Sequence, residues 1–418
     1  MRHTFVGFGF GPIQSGLFAK EAAESGRFDE IVVAEVDGGL VDALRQNNDT
    51  YAVNVAHADR VEAVTVKGVR LLNLSVPDDV GHLRAALAAA TEIVTSLPSV
   101  AFYTRGGEAS VAALIAEGLR ANTGGQTVVY TAENNNHAAA ILREAVVGQD
   151  ARPGPTRPTQ YLNTVIGKMS QVVADPLEIA RRNLRPIVPM EGGGAGETAA
   201  SGGRAFLVEA FNRILVSEIT LPGFEPGIMA FEQKADLLPF EEAKLYGHNA
   251  IHTVLGFLGK RLGVVSLAEL RGHADMMALA RQAFVEEIGA ALVRKYSRLN
   301  DPLFTREGFT AYADDLLERI TNPFLADTVG RAIRDPLRKL GANDRIFGAI
   351  RQCLAQGIEP SALAHAARVA LGVLPQLPEW PAHGVPSDLD ATLALLWERD
   401  TLAAAEMAQV LPLLAEHR

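Results

Sequence analysis

Phe5-Val6-Gly7-Phe8-Gly9-Phe10-Gly11-Pro12-Ile13-Gln14-Ser15-Gly16 is the stretch on which the fold turns. It lies between a short apolar run of strand length, residues 4–7, and a run of helical period, residues 15–24. Glycines at such a strand-to-helix turn let the backbone bend tightly and approach a pyrophosphate, whose charge is met by free N–H groups at the helix start. The spacing is imperfect. Gly9-x-Gly11-x-x-Gln14 lacks the third glycine of the dinucleotide fingerprint, and Gly7-x-Gly9-x-x-Pro12 fails at the same place. On these residues alone, a glycine-rich turn followed by solvated acids remains open beside a nucleotide site.

Working outward, residues 31–36 have strand character and residues 40–46 helical character, which gives β-α-β-α and predicts a parallel sheet. Further strands are expected at residues 92–96 and 127–132. The second leads into the turn Asn134-Asn135-Asn136 and a helix starting near His137. The strand at 31–36 ends in Glu35 and, two residues on, Asp37, about 26 residues or slightly more past Gly9; an acid there can accept hydrogen bonds from the adenosine ribose and would repel a 2′-phosphate, favouring NAD over NADP. The expected NAD contacts are Gly9, Gly11, Ile13, Glu35, Ser96 and Asn134.

At 418 residues the chain exceeds the roughly 250–300 at which a single core stops growing, so two domains are expected. The first, an α/β Rossmann-like domain with a parallel sheet, is assigned to residues 1–225 and includes a glycine-rich surface loop at 189–203. The second, residues 226–418, is mainly α-helical, with helical period at 267–295, 308–320 and 345–356. A net charge of -10 argues against a broadly basic nucleic-acid surface, and an anionic ligand must find local cations. Cys353, the single cysteine, precludes an internal disulfide and suits a reducing compartment. No apolar run approaches the ~20 residues of a membrane span, and the N-terminus turns straight into a strand pattern, so a cytoplasmic protein is expected. The expected partner is a small molecule, with neither nucleic acid nor membrane, for a monomer or small homo-oligomer.

The second domain opens with Pro239-Phe240-Glu241-Glu242-Ala243-Lys244-Leu245-Tyr246-Gly247-His248-Asn249-Ala250-Ile251-His252. On an α-helix at about 100° per residue, Lys244 and His252 lie ~80° apart and Asn249 ~60° from His252, so all three can face one cleft. They form a coherent set for alcohol oxidation: an amine takes the hydroxyl proton, an amide holds the oxygen on which charge develops, and an imidazole orients the substrate. An ordinary lysine, with a pKa of ~10.4, is a poor acceptor near neutrality, so the site must lower it by desolvation or by neighbouring positive charge. Two alternatives stand beside this one. The residues can be ordinary polar groups on a partly buried helix, or His248 and His252, at i and i+4, can be paired zinc ligands. Asn249 stands where the metalloprotease motif needs Glu, and no compact His/Cys cluster offers an obvious third ligand.

Downstream, Arg331, Arg334, Arg338, Lys339 and Arg345 form a basic run. Such a run is usually a solvated helix face, but in an acidic protein it also suits a phosphate or carboxylate.

The spacing Lys244-x4-Asn249-x2-His252 resembles the catalytic signature of the polyol-specific long-chain dehydrogenases, the mannitol dehydrogenase family. Similarity continues through Asn322-Pro323-Phe324-Leu325-Ala326-Asp327 and Gly330–Arg345, where it looks most like the mannitol-1-phosphate branch. It extends more loosely to the Gly9/Gly11 turn, Glu35, Glu133-Asn134 and Tyr161-Leu162-Asn163-Thr164. The resemblance implies a metal-independent, NAD-dependent enzyme that interconverts a sugar alcohol or its phosphate and the matching ketose. It also implies Lys244 as general base, Asn249 and Asn163 on the reacting oxygen, His252 as a substrate contact, and Arg331 and Lys339 on the substrate's other oxygens. NAD would lie across the carboxyl ends of the sheet with its nicotinamide at the cleft between the domains. An unphosphorylated polyol or hexuronate is the alternative substrate, and a non-catalytic nucleotide-binding protein of the same fold the alternative function. Two positions depart from the pattern: Gln14 stands for a glycine, and Gly167-Lys168 stands where the family usually has Asp-Arg.

Overall fold

A computed structural model describes residues 3–149, 156–188, 203–380, 389–397 and 404–415. The chain forms two compact units, residues 1–238 and 239–418.

Among the described residues the first unit carries twelve strands, β1 Thr4–Phe8, β2 Glu30–Glu35, β3 Thr50–Ala56, β4 Val61–Lys67, β5 Arg70–Asn73, β6 Glu92–Thr95, β7 Thr127–Thr131, β8 Thr159–Ile166, β9 Ser170–Val173, β10 Ala205–Glu209, β11 Ile214–Ser217 and β12 Phe231–Lys234. Eight of them form one sheet in the order β12-β11-β8-β7-β6-β1-β2-β5. It is parallel from β5 to β8, as the β-α-β-α order predicts. Beyond β8, β11 runs antiparallel to it and β12 parallel to β11. Every residue of β1 is buried, because a parallel sheet is covered on both faces. Alternate side chains enter different cores. Phe5 joins Val33, Val94 and Tyr130 on one side, and Val6 and Phe8 join Val32, Ile93 and Val129 on the other.

A second sheet, in the order β4-β3-β10-β9, has no counterpart in the sequence-based expectation. Its Tyr51, Val53, Phe206 and Val208 share a core with Leu17 and Phe18 of the first helix, so it backs the element that carries the glycine turn. Tyr51 donates from its hydroxyl to Ser15 O at 2.7 Å. Most of the glycine-rich loop expected at 189–203 lies outside the described residues.

The junction between the units differs from the one expected at 225/226. Phe231–Lys234 pairs with β11 as an edge strand of the large sheet, which carries the first unit on to Leu238. The second unit is helical throughout its described elements. Its central helix, Ala250–Leu262, buries Ala250, Ile251, Val254, Leu255, Phe257 and Leu258 against the helices Val329–Ile333 and Ser361–Val373. The run expected at 267–295 is interrupted. It comprises a 3-10 turn at Leu267–Gly272, α-helix at Ala274–Gln282, a π-helical segment at Ala283–Gly289 and α-helix at Ala290–Lys295. No helix among the described residues is long and apolar enough to cross a membrane.

Candidate active site

In the first unit, strand order reverses between β1 and β6, and the carboxyl ends of these strands bring Gly9 and Ser96 together. Gly9 has φ +82°, and a Cβ there would lie 2.7 Å from Ser96 O, so only glycine fits. Ser96 N donates to Phe8 O at 3.0 Å, which fixes the crossing of the two turns. Behind Ser96, buried Glu133 accepts from Leu97 N at 2.8 Å and from Thr95 Oγ1 at 2.9 Å. Burial pushes the Glu133 pKa up.

The missing fingerprint glycine has a structural answer. Gln14 is fully buried at the start of a π-helical segment, Gln14–Phe18, and its amide occupies the space that a side chain at position 7 would fill. A Cβ on Gly7 would overlap Gln14 Nε2. The small residue that permits close helix–strand packing has moved from the helix to the strand.

Glu35 sits at the end of β2, as expected, but most of its capacity is already in use. Phe10 N donates to Oε2 at 2.7 Å, and Val36 N and Asp37 N donate to Oε1 at 2.7 and 3.0 Å. A carboxylate has about four acceptor positions, so one remains for a ribose hydroxyl. Asp37 is a helix cap, accepting from Leu40 N at 3.1 Å and pairing with Arg204 at 3.0 Å. Gly11 has open space where a Cβ would be, Ile13 packs at the edge of the core, and Asn134 is exposed in the turn after β7.

Asn163 lies on β8 beside Thr131. Its Oδ1 accepts from Ala139 N at 2.9 Å and its Nδ2 donates to Asn136 O at 2.7 Å, so it clasps the asparagine-rich turn to the helix Ala138–Val147. Lys168, at the departure from the family pattern, is buried and donates to Phe211 O at 2.9 Å, which ties two loops of the same unit together.

In the second unit Lys244 and Asn249 lie in a π-helical segment, Ala243–Asn249, between the α-helical turns Leu238–Glu242 and Ala250–Leu262. The bond from Ala250 N to Leu245 O spans five residues. This corrects the all-α expectation. Bonding from i to i+5 sets residues five apart nearly above one another, so Lys244 and Asn249 share a face where a regular helix would splay them.

Lys244 is half-buried, and its pKa is lowered to about 8. Burial is the largest cause, the positive charge of Arg345 adds to it, and Glu241 opposes it. His248, buried on the same helix, is held well below the usual histidine range, first by burial and then by the cations Arg319, Lys244 and Arg345 and by His252. Among the described residues no group of three His, Cys, Asp or Glu side chains is placed to hold a metal ion.

His252 Nε2 lies 2.8 Å from Asp327 Oδ2, and Arg331 Nη1 donates to the same oxygen at 2.7 Å. Lys339 is buried, with Nζ donating to Ala332 O at 2.9 Å at the end of the helix Val329–Ile333; it therefore caps helix carbonyls as well as being a candidate substrate contact. Burial lowers its pKa to about 7, with Arg345, Arg338 and Arg334 adding to the effect. Arg345 donates to Thr253 Oγ1 at 2.8 Å, and its own pKa is lowered to about 10, chiefly by burial. The basic run is thus mixed. Arg334 and Arg338 are exposed, and Arg338 pairs with Asp335 and Asp344, whereas Lys339 and Arg345 are desolvated cations. Two residues given no role from sequence now stand out. Asp327 acts on His252 from 75 positions away in the sequence, a pairing that no local spacing could reveal, and Arg345 acts on Lys244.

The mannitol dehydrogenase C-terminal domain matches residues 236–373, the span that carries these groups. The mannitol-1-phosphate 5-dehydrogenase of Brevibacillus brevis is 28% identical over 367 residues, covering 88% of this chain and 85% of its own. That of Halalkalibacterium halodurans is 27% identical over 364 residues, covering 86% and 85%. Residues 236–373 thus carry a mannitol dehydrogenase C-terminal domain, and most of the chain is similar to mannitol-1-phosphate 5-dehydrogenases. Among solved structures, substrate-free D-sorbitol dehydrogenase shares the fold with a TM-score of 0.74 at 15% identity, over 99% of this chain and 93% of that one. Pseudomonas fluorescens mannitol 2-dehydrogenase, solved as a ternary complex with NAD and D-mannitol, gives 0.66 at 16% identity, over 99% and 90%.

Proposed function

We propose that this protein is a member of the mannitol dehydrogenase family, a metal-independent, NAD-dependent dehydrogenase that interconverts a sugar alcohol phosphate and its ketose phosphate, with mannitol 1-phosphate and fructose 6-phosphate as the pair. The chain is an oxidoreductase acting on a CH–OH group. The observation that carries the mechanism is the Lys244 amine, with its pKa lowered to about 8 and set on one face with Asn249 by the π-turn.

In the oxidising direction uncharged Lys244 Nζ takes the carbinol proton. In the reducing direction the protonated amine returns it to the ketose oxygen. The Asn249 amide, and in the same role that of Asn163, donates to that oxygen as charge develops on it. His252 and Arg331 hold neighbouring substrate oxygens, and the desolvated cations Lys339 and Arg345 suit a phosphate dianion. A dinucleotide fits the glycine turn because Gly9 leaves clear the space a Cβ would fill and Glu35 keeps an acceptor position for a ribose hydroxyl. Gly11, Ile13, Ser96 and Asn134 complete that set. When bound, NAD accepts or supplies the hydride. The same buried cations would accept a hexuronate carboxylate, which makes that class the second candidate.

The test is NADH oxidation with fructose 6-phosphate, fructose, tagaturonate and fructuronate side by side, for the wild type and Lys244→Ala. Turnover with fructose 6-phosphate, cut by roughly 10²–10⁴ in the variant with NADH binding retained, is expected. Turnover confined to another substrate would replace the substrate assignment, and a variant with wild-type turnover would remove the base.

A further inference from the structure

Asp327 lies outside the Lys-Asn-His signature, yet the chain goes to some length to place it. The preceding residue, Ala326, has φ +51°, a left-handed conformation that is strained for a residue with a Cβ. The loop is held in that shape by Asn322, whose Oδ1 accepts from Phe324 N at 2.8 Å and whose carbonyl accepts from Ala326 N at 3.1 Å. The Asp327 carbonyl in turn accepts from Leu267 N at 2.9 Å. The result is a carboxylate with 1% exposure whose oxygens all face donors. Oδ1 accepts from Thr328 N at 2.9 Å, and Oδ2 meets both Arg331 Nη1 and His252 Nε2.

A carboxylate buried this deeply would ordinarily protonate. Here that tendency is outweighed by the hydrogen bonds from His252 and Arg331 and by the positive charge of Arg331, and its pKa falls below the usual range. An ionised carboxylate only accepts, so the hydrogen between it and His252 belongs to Nε2. His252 itself is kept neutral chiefly by burial, which outweighs the pull of Asp327, and Arg331 and Arg345 add to the lowering. A neutral imidazole carrying its hydrogen on Nε2 has a lone pair on Nδ1, and Nδ1 has no protein partner among the described residues.

We infer that Asp327 is a positioning residue that locks His252 in the Nε2–H form and anchors Arg331 beside it, so that the pair offers a ligand one acceptor, His252 Nδ1, next to a cationic donor. An acceptor at that point selects a substrate oxygen that carries a proton. A polyol hydroxyl can donate to Nδ1, whereas a carboxylate oxygen has no proton to give. The kinetic part of this inference rests on His252 contacting substrate, as proposed above; the tautomer does not.

The test is the imidazole ¹⁵N spectrum of the full chain labelled at histidine, with His252 assigned by its loss in His252→Gln. The wild type should show hydrogen on Nε2 and a bare Nδ1. In Asp327→Asn a neutral amide, a weaker acceptor than the carboxylate, replaces the group that holds the hydrogen on Nε2, so the His252 hydrogen should move at least partly to Nδ1. kcat/KM for the sugar substrate should fall roughly ten- to a hundredfold with NADH affinity unchanged. A wild-type Nδ1–H tautomer overturns the inference, even if Asp327→Asn fails to fold. So does a variant that keeps the wild-type tautomer, or one that keeps wild-type kcat/KM. A correct tautomer in a protein that turns over no sugar would refute the proposed function and leave the tautomer lock standing.

Discussion

At the glycine turn the features proposed to receive the dinucleotide are backbone: N–H groups at the helix start and the close approach of Gly9 to the Ser96 carbonyl. At the lysine helix they are side chains, Lys244, Asn249 and His252, projected from one helix whose winding changes within the set. A backbone site constrains shape and leaves latitude over which residues provide it, so Gln14 can replace a glycine once Gly7 makes room for it. A side-chain site constrains identity and spacing, because each group has its own chemistry and its own place along the helix. That difference explains why the fingerprint departs from its pattern in sequence while the Lys-Asn-His spacing matches the signature it resembles.

The largest expected effect is at the backbone site. Gly9→Ala forces a left-handed alanine against Ser96 O, and NADH affinity should fall by more than about a hundredfold, roughly 2.7 kcal/mol or more, in a fluorescence titration. Unchanged affinity would place the dinucleotide elsewhere. Next is the exchange of space between strand and helix. Gly7→Ala should lower unfolding stability in urea by about 1–3 kcal/mol, and adding Gln14→Ala should recover most of it. Additive losses would mean the two positions do not share that space. The smallest effect is electrostatic. Lys244 must be neutral to take a proton, so kcat/KM for alcohol oxidation should be present above a midpoint near pH 8 and be lost as pH falls through it, with the opposite dependence for ketose reduction. Arg345→Gln removes a cation that depresses the lysine, so the midpoint should rise, by less than about one unit. A fall or no change would remove Arg345 from the account.

Much of this was legible in the sequence, for reasons tied to particular residues. β1, β2, β6 and β7 are continuous apolar runs bounded by turns, and they form where those runs lie. The need to depress the Lys244 pKa followed from its chemistry, and burial and Arg345 meet it. Three features were hidden because they are set by tertiary contacts. β3 and β4 form a local hairpin, but their sheet is completed by β9 and β10 from a distant part of the sequence. The π-turn that aligns Lys244 with Asn249 leaves no mark in a 3.6-residue period. The bond between His252 and Asp327 joins segments with no sequence proximity.

The proposed proton acceptor, Lys244, can itself be titrated. With lysines reductively ¹³C-methylated and Lys244 identified by the resonance missing from Lys244→Arg, the methyl shift followed against pH should show a midpoint near 8. A midpoint at or above about 10, that of an ordinary lysine, would contradict a depressed amine at this position and with it the proposed mechanism.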